Sequence, residues 1–211
     1  MSEKGILTVI SGFSGVGKGT VIKRMLDRYE GYTLSVSATT RAPRENEQDG
    51  TAYFFKTKEE FEAMIAEDAF VEYAQFVENY YGTPRAYVEE KLAQGKDVIL
   101  EIEIQGARKI KEKFPDAVTL FLVPPTPEAL RERLIGRGTE AKEVIDSRLK
   151  RAVEEAKGMG EYEYLIINDD VDICAEKVHA IIQSEHLKNS RNSEFRKNLQ
   201  QGMNKFLKGD N

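Results

Sequence analysis

The residues of this chain whose types and spacing could do chemistry are mostly phosphate-seeking, and the first group reads GFSGVGKGT from Gly12 to Thr20. Gly12, Gly17 and Lys18 fit the spacing G-x-x-x-x-G-K, in which glycines let the backbone approach phosphate and successive N–H groups surround its oxygens. A helix that starts there adds the positive end of its dipole, and Lys18 supplies a mobile charge for the outer phosphates of a nucleotide. The pattern wants Ser or Thr directly after the lysine as a magnesium ligand. Here Gly19 occupies that place and the first hydroxyl belongs to Thr20, so magnesium ligation is the open question in the loop.

Arg41 and Arg44 flank Pro43 in a hydroxyl-rich stretch that starts at Leu34. Their spacing can place two guanidinium groups on one phosphate; a solvated loop with ordinary surface charge accounts for them equally well. Glu72 is a carboxylate inside the apolar, strand-like run FVEYAQF. Glu101 and Glu103, in LEIEIQG, are expected on one face of a strand. Two like charges there need a cation or donors unless the strand lies at a solvated edge. Arg133, Arg137 and Arg148 fall in a glycine-hinged, charge-rich helical hairpin, the composition of a mobile lid. For Arg131 and Arg151, pairing with nearby glutamates is the competing reading.

The elements that must position these groups follow from hydrophobic patterning. Ile6 to Ile10 is a continuous apolar run, as for a strand buried on both faces of a parallel sheet. A helix follows from about Thr20 to Tyr29, with Val21, Ile22, Met25 and Leu26 at helical spacing. Strand, phosphate loop and helix in succession begin a doubly wound α/β fold. Lys58 to Ala69 reads as a helix, Phe70 to Phe76 as a strand and Asn79 to Pro84 as a short turn, all inside an insert expected from Ser37 to about Val88. Inserts of this size usually carry specificity. Core strands are expected from Asp97 and over Val118 to Val123, the latter stopped by Pro124 and Pro125. Helices over Pro127 to Leu134 and Glu143 to Lys157, a strand at Leu165 to Ile167 and a helix from Asp172 to His186 complete the core.

The 211 residues suit one domain with inserts, and 40% hydrophobic with 32% charged residues is an ordinary globular composition. No apolar stretch approaches a bilayer span and no secretory h-region follows Met1. A single cysteine, Cys174, cannot staple the fold, and the expected compartment is the cytoplasm. The formal charge of −5 argues against nucleic acid as a partner. The basic stretch from Lys188 to Lys208 reads as a solvated terminal helix or frayed extension. His179 and His186 lack partners at metal-ligand spacing and suit packing roles.

Taken in order, GFSGVGKGT, SVSATTRAPRENEQDGTAYFF, FVEYAQF, NYYGTPR, LEIEIQG, RLIGRGTE and INDD resemble guanylate kinase from about Ile6 to Leu187. The resemblance implies a P-loop nucleoside monophosphate kinase fold, a parallel sheet core with helices on both faces. The core would be residues 1–36, 89–127 and 159–190, with a GMP-binding insert at 37–88, a helical lid at 128–158 and a basic tail at 191–211. It implies reversible magnesium-dependent transfer of the ATP γ-phosphoryl group to GMP or dGMP, in purine metabolism, by a monomer or homodimer. Gly12, Ser14, Gly15, Val16, Gly17, Lys18, Gly19 and Thr20 would hold ATP with Arg133, Asn168 and Asp169. Arg41, Arg44, Tyr53 and Tyr81 would hold the GMP phosphate. Ser37, Glu72, Thr83 and Glu103 would read the base, and Thr20 and Glu101 would meet magnesium through water. Lys18, Arg44, Arg137 and Arg148 would carry the transition-state charge. Phe13 stands where proline is frequent, Gly19 where serine is usual, and Glu101 and Glu103 where aspartates are frequent. The rival reading is a guanylate-kinase-like module that has lost catalysis and binds peptides.

Overall fold

The computed structural model describes residues 4–76, 78–136 and 142–208. Its core is a five-stranded parallel sheet built from β1 (Leu7–Gly12), β2 (Tyr32–Leu34), β7 (Asp97–Glu101), β8 (Val118–Val123) and β9 (Tyr164–Ile167), in the order β2-β7-β1-β8-β9. β1 is central because both of its faces are apolar and covered: Leu7, Val9 and Ile10 are buried, as is all of β8. From β1 the chain runs first to one side and later to the other, which makes the carboxyl end of β1 the topological switch point where ligands of open α/β sheets bind. Helix α1 (Lys18–Arg28) leaves from that end and buries Val21, Ile22 and Met25.

On the α1 side, α7 (Val171–His186) packs Cys174, Ala175, Val178 and Ile182 into the same core. On the other side, α3 (Arg85–Ala93) and α4 (Ile104–Lys113) supply Val88, Leu92, Ala107 and Ile110. Neither α3 nor α4 is anticipated by the patterning above. The histidines do pack: the His179 ring stacks on Tyr29 at 3.8 Å, and His186 Nε2 lies 2.9 Å from Asp97 Oδ1.

The insert forms a second sheet in the order β4-β3-β6-β5, from β3 (Ala38–Thr39), β4 (Phe54–Phe55), β5 (Phe70–Phe76) and β6 (Asn79–Pro84). The expected turn at Asn79 to Pro84 is instead a full strand, antiparallel to β5. Its Gly and Pro suggested a turn, yet Tyr80, Tyr81 and Thr83 have the bulk and branching that suit a pleated surface. Helix α2 (Lys58–Ala66) starts with a capping box between Thr57 and Glu60. It lays Phe61 between Phe70, at 4.3 Å, and Tyr80, at 5.2 Å.

The segment read as a lid contains α5 (Pro127–Gly136) and α6 (Lys142–Gly158). Leu130 and Leu134 of α5 are buried in the main core beside Phe13 and Val16, so α5 is anchored on the phosphate loop. A 3-10 turn, Met159–Glu161, leads to β9, and α8 (Ser193–Lys208) ends the chain.

Phe13, standing in proline's place, packs edge-on against Phe121 of β8 with ring centroids 5.2 Å apart. Phe121 is fully buried and also meets the Tyr162 ring at 5.0 Å. Truncation to Phe121→Ala removes this support and leaves a cavity, so urea unfolding is expected to show a loss of about 3–5 kcal/mol.

Candidate active site

Between β1 and α1 the chain turns through Gly15 and Gly17, whose φ values of 87° and 97° are left-handed and unstrained only for glycine. Lys18 Nζ donates to the carbonyls of Gly12, at 2.7 Å, and Phe13, at 3.3 Å, and so lies across the loop. Burial lowers its pKa, while the charges of Glu101, Glu155 and Glu103 oppose that shift. Ser14 N–H, at the loop's start, donates to Glu155 Oε2 at 3.2 Å. A Cβ added at Gly19 would sit 3.6 Å from Glu101 Oε2, which places that carboxylate directly across from the residue after the lysine.

Beside the loop is an open cavity of about 410 Å³, lined among others by Gly15, Val16, Gly17, Thr20, Arg133 and Asn168. Asn168 Nδ2 and Arg133 Nη1 both donate to the Val16 carbonyl, at 2.8 and 3.3 Å. Asn168 is buried, and its Oδ1 has no hydrogen-bond partner. An unsatisfied buried acceptor is costly and gains from a ligand donor. Asp169 is exposed at the end of β9 and is not part of that lining.

In the insert, the Arg41 guanidinium lies 5.4 Å from the centre of the Tyr53 ring, and Tyr53 lies edge-on to Tyr81 at 6.1 Å. The Arg41 pKa is raised chiefly by its hydrogen bond to Glu47 and to a lesser degree by Tyr81. Glu47 fixes the group: its two oxygens accept from Arg41 Nη2, each at 2.9 Å, and Oε2 also accepts the Arg44 N–H at 2.8 Å. The Arg44 residue is exposed. Deeper in the insert, buried Thr83 donates its hydroxyl to Glu72 Oε1 at 3.0 Å. A Cβ on Gly106, in the second residue pair of α4, would lie 3.5 Å from Glu72 Oε2. Burial is the main cause raising the Glu72 pKa above the ordinary carboxylate value. The Ser37 carbonyl accepts the Phe54 N–H at 2.9 Å, joining β3 to β4 on the same sheet.

Glu101 and Glu103 do not share a strand face. β7 stops at Glu101 and Glu103 is the N-cap residue of α4. The I-E-I-E-I pattern satisfies a strand, but Ile102 N–H still bonds to Ile10 O while the Ile102 carbonyl accepts from Ser11 Oγ at 2.7 Å, and the chain turns there into α4. Glu101 is exposed at the end of β7, yet partial desolvation by the chain around it raises its pKa against the pull of Lys18. Glu103 instead forms an ion pair with Arg151 of α6. Arg151 Nε also donates to Glu155 at 3.1 Å, so this arginine does pair with glutamates. Arg148 is half-buried on α6. Arg137 lies outside the described residues.

This geometry joins a phosphate loop to a separate arginine and tyrosine cluster, and two comparisons bear on it. A family model described as guanylate kinase matches residues 4–185. The crystal structure of guanylate kinase from Anaplasma phagocytophilum is 32% identical, with a TM-score of 0.70 and coverage of 90% of each chain. The chain belongs to the guanylate kinase family. It is a phosphotransferase of the GMP kinase type. Shikimate kinase from Bacteroides thetaiotaomicron also aligns, at 14% identity and a TM-score of 0.46, over 84% of this chain and 98% of that one.

Two site residues escaped the sequence reading. Glu47 was visible as one acid among several in RENEQD, with nothing to separate it from the others before the loop was folded. Glu155 meets Ser14 across 141 positions, a separation that helical patterning does not report. Cys174 stays inert, since burial pushes its thiol up to about 11. Among the described residues no helix is long and apolar enough to cross a membrane.

Glu72 gives this site a pH signature. Its folded pKa is raised from 4.5, so its contribution to stability is complete below the unfolded value and is lost as pH rises through the folded one. Glu72→Gln keeps an acceptor for Thr83 without the buried charge. In the ligand-free protein its melting temperature should gain on the native chain's as pH is raised from 4 towards neutrality, measured by calorimetry across that range.

Proposed function

We propose that this chain catalyses reversible, magnesium-dependent transfer of the ATP γ-phosphoryl group to GMP or dGMP, in cytoplasmic purine nucleotide metabolism. The observation that carries the acceptor assignment is the half-buried Glu72 carboxylate, oriented by Thr83, in the same small sheet as Arg41, Tyr53 and Tyr81. Guanine presents N1–H and an N2 amine as adjacent donors, and one carboxylate accepts from both. Adenine has an unprotonated N1 and no such amine, so it would leave the acid unpaired. A mismatch of this kind discriminates by about 10⁴-fold or more.

Arg41, Arg44, Tyr53 and Tyr81 then hold the GMP phosphate, and Ser37, Glu72 and Thr83 read the base. Glu103 can assist with the amine once it leaves Arg151. The loop from Gly12 to Thr20, with Arg133 and Asn168, holds ATP, and Asp169 lies next to Asn168 at the adenine end. Phosphoryl transfer needs positioning and charge stabilisation rather than a protein nucleophile. Lys18, Arg44, Arg137 and Arg148 supply that charge, and movement of residues 128–158 against the core (1–36, 89–127, 159–190) and insert (37–88) excludes water.

Magnesium fits the residues present. Among the described residues no group of three or more His, Cys, Asp or Glu could hold a metal. Mg²⁺ commonly takes one or two protein oxygens, several waters and substrate phosphates. Thr20 and Glu101 would meet it through water, and Glu101, whose charge burial disfavours, gains from a cation. When bound, the ion neutralises phosphate charge. A serine at position 19 has room beside Glu101, so Gly19→Ser is expected to lower several-fold the magnesium needed for half-maximal turnover, read by titration at fixed ATP.

The deciding experiment offers ATP and magnesium with GMP, dGMP, AMP, CMP, UMP or dTMP and follows ADP. Turnover is expected with the guanine nucleotides alone; equal turnover with AMP would reject the acceptor assignment. ATP binding without turnover would give the chain the peptide-binding role instead. In Glu72→Ala, loss of two charge-assisted hydrogen bonds should lower kcat/KM for GMP by about 10²–10⁴-fold while ATP affinity is unchanged.

A further inference from the structure

Glu72 lies where β5, β6 and α4 meet, and each element puts something beside it. Thr83 of β6 donates its hydroxyl to Oε1. Gly106, in the first turn of α4, leaves the other oxygen open, since a Cβ there would stand 3.5 Å from Oε2. One turn further along α4 is Lys109, whose Nζ lies 5.6 Å from the centre of the ring of Tyr73, the residue after Glu72. Helical spacing from Gly106 puts Lys109 and Lys113 on the side of α4 that meets β5. Lys113 does meet it, donating to the Phe70 carbonyl at 3.1 Å.

The other charged and titratable groups around this junction face elsewhere. Lys113 and Arg85 both hold Asp68, Arg108 holds Glu161, Lys111 holds Glu163, and Glu103 is paired with Arg151. Glu112 lines, with Arg108 and Lys111, a cavity that reaches Thr119 and Tyr162. On β6, Tyr80 donates to Glu62 and Tyr81 lies edge-on to Tyr53. No ion pair engages Lys109 among the described residues, and its ammonium rests on the Tyr73 ring instead.

The chemistry of the base sets what Glu72 needs. An ionised carboxylate accepts from both guanine donors, whereas a protonated one turns an O–H towards a donor edge and loses an acceptor. Burial works against the charged form; the Thr83 hydroxyl and the Lys109 ammonium work for it. We propose that Lys109 is a positioning residue for the base pocket, a role that rests on the acceptor assignment proposed above. Its ammonium, held over Tyr73, keeps Glu72 in the ionised form that guanine requires.

Lys109→Met keeps the aliphatic stem against Tyr73 and removes the charge, and Lys109→Arg restores it. With ATP, magnesium and GMP, the acid limb of the kcat/KM profile is expected to move up by about half a pH unit or more in Lys109→Met. It should return in Lys109→Arg, and kcat/KM above pH 8 should stay within about twofold of the native chain. Titration of the GMP phosphate is common to all three chains, so the difference between them reports the protein. The coupling is also read without substrate, from melting temperatures of the native chain, Lys109→Met, Glu72→Gln and the double variant. At pH 7, Glu72→Gln is expected to gain about 1–3 °C more in the Lys109→Met background than in the native one, and this excess should shrink towards pH 4. Equal gains in the two backgrounds overturn the proposal whatever the chain does with GMP. A loss of kcat/KM of the same size at every pH overturns it too, because that is the mark of a direct contact between Lys109 and substrate. A chain that shows the coupling yet ignores GMP would uphold the hold of Lys109 on Glu72 and reject the acceptor assignment instead.

Discussion

A half-buried ammonium is stabilised by negative charge around it, and much of this site is arranged around Lys18. Its amine is taken up by two backbone carbonyls of its own loop, and Glu101, Glu155 and Glu103 offset the desolvation that disfavours its charge. Two of the protein's carboxylates hold donors suited to phosphate. Glu155 accepts the Ser14 amide and Glu47 fills the fork of Arg41. Each keeps a donor satisfied and oriented, at the cost of local negative charge that a phosphate must displace or adjust.

The insert follows a different rule. Glu72 is held by one hydroxyl in surroundings that disfavour its charge. A carboxylate in that condition is poorly compensated until donors arrive; under the proposed function a base with two donors would relieve it and a base with none would aggravate it. The insert has its own apolar cluster of Ala38, Phe61 and Phe70, while Val71 of β5 packs into the core with Val98, Ala107 and Ile110.

Most core strands were legible because strands buried on both faces leave nearly continuous apolar runs, as Val118 to Val123 does, whereas β2 was not, its three residues being half-buried or exposed. Helix α4 was not, since ARKIKEK carries only Ala107 and Ile110 to the core and reads as polar. The Glu101 and Glu103 pair shows the limit of periodicity: three or four alternating residues satisfy a strand, and only the carbonyl of Ile102 bonding to Ser11 reveals the corner. The turn between β1 and α1 was legible because its left-handed positions, Gly15 and Gly17, favour glycine. Glu47 and Glu155 were not, because nothing in a carboxylate's neighbours along the chain names the donor it will meet after folding.

Arg151 ties these parts together. It bridges Glu103, the N-cap residue of α4, and Glu155, which is bonded to the loop between β1 and α1. An incoming phosphate competes with Glu155 for the Ser14 amide and repels it as a like charge. Glu155 thus joins the loop to α6 through Arg151, while Leu130 and Leu134 hold α5 to the same loop by apolar contact, so charge links one helix to the loop and packing links the other.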